Sequence, residues 1–123
     1  MDYIDENNHK SDCYRKTSFY GKLNEEGIVD LEEYIKLENA VYEAAYKALS
    51  KKEKHKKVVR FGIICTSVLS AIVSHEAPDN GYELKNYDPN NLHKLLQRMH
   101  VVLEGFIDGV MPNRKELGDF PNA

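Results

Sequence analysis

Apolar residues recur along this chain at helical spacing in three places, and those places define the expected fold. Over residues 30–49, Leu31, Tyr34, Ile35, Val41, Tyr42, Ala45 and Leu49 fall in one arc at 100° per residue, with Glu32, Lys36, Asn39, Glu43 and Lys47 opposite. Asp30 followed by Glu33 reads as an N-cap with an acid three residues on. Ser50 followed by Glu53 repeats that signal and predicts a break, with a second helix over residues 51–74. There Val58, Phe61, Ile64, Cys65, Val68, Leu69, Ala71 and Ile72 share a broad arc, and Val59, Ile63, Thr66, Ser67, Ser70 and Ser74 occupy the other side. A third helix, residues 89–109, starts where Asp88 can cap and Pro89 can take the first helical position. Its stripe runs through Leu92, Leu95, Leu96, Met99, Val102, Leu103, Phe106, Ile107 and Val110.

The remaining segments lack that periodicity. Residues 1–29 read as a polar leader, loose over its first dozen residues. A short hairpin could form around Asn24-Glu25-Glu26-Gly27, whose first and fourth residues suit a type I turn. Residues 76–91 are dense in turn formers and make the main loop. Residues 111–123 form a tail with Phe120 as an anchor. The predicted class is therefore all-α: a small three-helix bundle over residues 30–110, with a four-helix count left open.

Composition narrows the picture. A chain of 123 residues with 41% hydrophobic and 30% charged side chains suits one globular domain. The first eight residues are acidic and polar, so a secretory signal is not expected there. The longest uncharged stretch, residues 61–74, contains Thr66, Ser67, Ser70 and Ser74 and is shorter than the roughly 20 apolar residues of a bilayer span. A buried helix is the expectation, with no membrane partner. Cys13 and Cys65 form no CxxC pair, which points to reduced thiols and a cytoplasmic location.

Charge is unevenly distributed within a net −3. Lys51, Lys52, Lys54, Lys56, Lys57 and Arg60 face Glu53 alone within residues 50–60, while acids outnumber bases on both sides. Such a block can contact phosphates, yet it contains no aromatic residue and only one arginine, unlike most nucleic-acid surfaces. It reads equally as a solvated face whose lysine stems shield apolar neighbours.

Candidate chemistry is sparse. Glu38 falls in the middle of the apolar arc of the first helix, where an unpaired carboxylate is costly. Arg60, His75, His93, His100 or a tyrosine hydroxyl are the partners considered for it. His93, His100 and Glu104 lie along one flank of the third helix and are further candidates for buried polar positions. The two histidines are seven residues apart, about 10 Å along a helix, too far to share one ion. No metal or cofactor is expected, and no nucleophile elbow, phosphate loop or HExxH motif is present.

Apolar surface in excess of one small core is the more telling feature. Val59, Ile63 and Val101 fall outside the core stripes, and Tyr46, Tyr82 and Tyr87 add amphipathic contact material. The leading expectation is a non-enzymatic protein that binds a protein partner and forms a homodimer. An inhibitor, immunity, antitoxin-like or phage-type adaptor would fit its size. A nucleic-acid-associated regulator using residues 51–60 comes second, and a ligand-binding or acid–base bundle built on Glu38 third.

Overall fold

The computed structural model describes residues 3–77 and 81–121. Residues 1, 2, 122 and 123 of the predicted leader and tail, and 78–80 of the predicted loop, lie outside that range. The described residues are all-helical, with five helices and no strand: α1 (Tyr3–Glu6), α2 (Phe19–Glu26), α3 (Leu31–Tyr46), α4 (Lys51–Glu76) and α5 (Pro89–Asp108).

Local chemistry sets the ends. Asp30 accepts the Glu33 N–H at 3.2 Å, Ser50 the Glu53 N–H at 3.2 Å, and Asp88 the Asn90 N–H at 2.7 Å. Lys47, capping α3, leaves the helical region at φ −85° and ψ 149°, so α3 and α4 are separate helices. Helices α4 and α5 pack along their lengths and carry much of the core. Phe61, Ile64 and Val68 are fully or almost fully buried with Leu92, Leu95, Met99, Val102 and Phe106. Tyr34, Leu37 and Val41 of α3 complete it.

The leader departs from expectation. The segment read as a hairpin is α2, because Ser18 caps it by accepting the Gly21 N–H at 3.1 Å and Phe19 and Leu23, four residues apart, both face the core. Gly27 closes α2 in the left-handed region at φ 68°, its N–H donating to the carbonyls of Leu23 and Lys22. A Cβ at Gly27 would stand 2.0 Å from the Glu83 carbonyl oxygen, so the loop can cross only a glycine there. The first dozen residues are also tied down: Ile4 is fully buried, and buried Asn7 accepts the Tyr20 N–H at 2.7 Å while donating to the Tyr3 carbonyl at 2.9 Å.

The loop before α5 is fastened to the same end. Asn86 receives the Val29 N–H at 2.8 Å and donates to the Val29 carbonyl at 2.9 Å, a side chain standing in for a strand partner. His75 accepts the Leu84 N–H through Nδ1 at 3.0 Å.

Cys13 is half-buried and Cys65 buried, and the two are not joined in a disulfide. Burial pushes the Cys65 thiol up to about 12, so almost none is thiolate at neutral pH. One thiol per chain is expected to react with a thiol-specific disulfide reagent in native buffer, and a second only after denaturation. Two fast equivalents without denaturant would contradict the burial of Cys65.

Candidate functional site

Glu38 of α3 is fully buried and is held by two arginines. Arg98 of α5 grips it with two parallel bonds, Nε to Oε2 and Nη2 to Oε1, each 2.8 Å. Arg114, from the segment after α5, donates Nε to Oε1 at 3.1 Å and reaches Asn39 with Nη1. Of the partners considered from sequence, a tyrosine hydroxyl, that of Tyr34, lies alongside Glu38, whereas Arg60 pairs with Asp5 and His75 with the Leu84 backbone. The cluster also fastens the C-terminal segment. Arg98 donates to the Gly118 carbonyl at 3.1 Å, Tyr42 to the Pro112 carbonyl at 2.7 Å, and Tyr87 to the Pro121 carbonyl. Phe120 anchors the segment, stacked 4.1 Å from the Arg98 guanidinium and edge-on to Tyr34.

Burial alone would raise the Glu38 carboxyl. The Arg98 bonds, the Tyr34 hydroxyl alongside and the charges of Arg98 and Arg114 more than reverse that, so the group stays below the usual carboxylate range. Tyr34 is pushed well up, by burial first and by Glu38 second, and its hydroxyl has no hydrogen bond of good geometry. Glu38 is fully buried and its two oxygens already accept three guanidinium bonds. Chemically this is a clamp.

The other polar candidates sit elsewhere. His93, His100 and Glu104 are exposed, a correction to their expected burial. The buried stripe of α5 is centred on Leu95, Met99, Val102 and Phe106 and reaches Arg98 and Gly105 on one flank, which turns positions 93, 100 and 104 to water. Among the described residues no three His, Cys, Asp or Glu side chains cluster as a metal site requires.

The contact candidates divide. Tyr46, Val59, Ile63 and Val101 are exposed, whereas Tyr87 is buried and Tyr82 partly buried with its hydroxyl on the Leu23 carbonyl. Those two rings seat the loop on the core, which corrects their assignment to an interface. Val101 stands alone among Lys94, Gln97, Glu104 and Asp108 on the outer side of α5. Val59 and Ile63 belong to something larger. With Gly62, Thr66, Leu69, Ser70 and Val73 they form an outward face of α4 that carries no charge from residue 61 to 74, and only Gly62 in it is half-buried. Leu69 is 46% exposed and Val73 58%. By length and mean hydropathy (1.7 over its most apolar window) α4 could cross a membrane, yet a third of that window is already buried inside this fold.

The basic segment opens α4. Lys51, Lys52 and Lys56 are exposed, while Lys54, Lys57 and Arg60 are half-buried. Lys56, Lys57 and Arg60 line a cleft of about 750 Å³ between α1, α3 and α4, together with Lys36 and Lys47. Glu6, Glu43 and Glu53 are interleaved with them, so the cleft is a mixed-charge surface and not a basic track.

No known protein family matches this chain, nor does any curated protein or solved structure.

Proposed function

We propose that this is a small non-enzymatic protein that acts by binding another protein, in the manner of an inhibitor or adaptor, and that its own assembled form is a homodimer. The observation that carries the reading is the uncharged outer face of α4, with Val59, Ile63, Leu69 and Val73 each 44–58% exposed. Scattered exposed apolar residues are ordinary, but a contiguous helical face of them marks a contact surface. The arginine clamp on Glu38 weighs against acid–base work, because the carboxylate is fully buried and already accepts three guanidinium bonds. Interleaved acids in the α4 cleft weigh against nucleic acid, which favours an unbroken positive stripe. Two cysteines not joined in a disulfide suit a reducing, cytoplasmic setting.

Affinity capture from the native host, with wild type and Leu69→Asp as parallel baits, tests the reading. Proteins retained by wild type should be lost by the variant while its circular dichroism stays unchanged. Identical co-purifying sets from both baits would remove the α4 face from the protein's work.

A further inference from the structure

The outer face of α4 is complementary to itself. From Val59 onward, Gly62, Thr66, Leu69 and Val73 follow at the alternating three- and four-residue spacing of a helix–helix seam, with Ile63 and Ser70 beside it. We infer that the face is occupied by α4 of a second copy, running antiparallel across a two-fold axis at Thr66; this rests on the protein-contact reading above. That axis sets Val59 against the second copy's Val73. It sets Ile63 against the second copy's Leu69, and Gly62 against its Ser70. Apolar side chains therefore meet apolar ones, and the small Gly62–Ser70 pairs between them let the two helices approach closely. A Cβ added at Gly62 would reach ordinary van der Waals contact with the Leu103 side chain of α5, at 3.9 Å, and meet nothing closer. Beside the seam, a shallow groove of about 320 Å³ between α2 and α4, bordered by Tyr20, Asn24 and Ser74, gives the second helix a bed.

Charge selects the direction. The antiparallel register lays His55 beside the second copy's Glu76, with Lys52 one turn beyond it at the negative end of that helix's dipole. A parallel pairing would stack two lysine-rich starts on each other, a like-charge arrangement that disfavours association. The antiparallel contact is isologous, so it closes at two copies.

Surface cysteines introduced one at a time in a Cys13→Ser background, where the remaining Cys65 is buried, test this under mild oxidation. Thr66→Cys, lying on the axis, should form a disulfide-linked dimer with itself, since paired Cα atoms there can fall within the roughly 4.4–6.8 Å that a disulfide spans. Val59→Cys alone should stay unlinked, because two copies of residue 59 lie about 20 Å apart in this register. A mixture of Val59→Cys and Val73→Cys should link. Val101→Cys, on the far side of α5, serves as the unlinked control. A dimeric mass without the Thr66 link, or self-linking at both 59 and 66, overturns the antiparallel register and leaves the contact reading standing. A monomeric mass for every variant overturns the second-copy occupant and leaves binding of a different protein to the capture experiment. Flotation of that monomer with phosphatidylserine vesicles would then assign the face to lipid.

Discussion

Glu38→Gln is expected to destabilise the protein by about 3–5 kcal/mol at neutral pH, the range for breaking a buried ion pair from one side. The amide keeps the shape but leaves Arg98, 8% exposed, without its counter-charge, and frees the Arg114 anchor of the C-terminal segment. Acid should erase the difference. The folded-state carboxyl of Glu38 lies below its ordinary 4.5, so its contribution is complete above that value and is lost as pH falls through the lower folded value. Urea midpoints for wild type and variant should therefore be far apart at pH 7 and converge below pH ~4.5. Equal midpoints at pH 7 would mean that the clamp contributes nothing to folding and would return Glu38 to the list of ligand-binding groups.

Phe19→Ala should cost a similar amount, about 3–5 kcal/mol, as expected for removing a buried aromatic ring. Phe19 is fully buried and meets Tyr34 edge-to-face with ring centroids 5.2 Å apart. The loss would release α2 and, through Asn7 and the Tyr20 N–H, the start of the chain. A single domain is typically stable by about 5–15 kcal/mol, so the variant should unfold at a clearly lower denaturant concentration. A midpoint within experimental error of wild type would show that the leader lies outside the cooperative core.

The helical class and the three long helices could be read from the chain because each has a wide apolar stripe bounded by a side-chain cap. Asp30, Ser50 and Asp88 fix starts that can be seen one residue at a time. The leader was harder, since α2 has only eight residues and only Phe19, Tyr20 and Leu23 among its large apolar ones. Its hydrophobic contacts and those of Ile4 come from elements far along the chain. Asn24-Glu25-Glu26-Gly27 can end a helix or make a turn, and only the burial of Phe19 and Leu23 decides between them.

The anomaly at Glu38 was visible as an acid inside an apolar arc, and its main partner left a matching mark. Arg98 is the single basic residue among Leu95, Met99 and Val102, so two opposite charges stranded on two core stripes are a pairing signal. Arg114 left none, because nothing local places a tail residue over α3. His93 and His100 misled because a stripe as wide as that of α5 has flanks, and sequence spacing alone does not say which flank is covered. Leu69 and Val73 were missed as surface for the same reason: α4 is apolar nearly all round, and only the positions of α2 and α5 show which side is left open.

Light scattering of the wild-type chain at tens of micromolar, with a dilution series, measures the claim on which the functional account rests. The account predicts a mass twice the 14.2 kDa of one chain, falling to one chain on Leu69→Asp. A mass of one chain throughout the series for the wild type would contradict it.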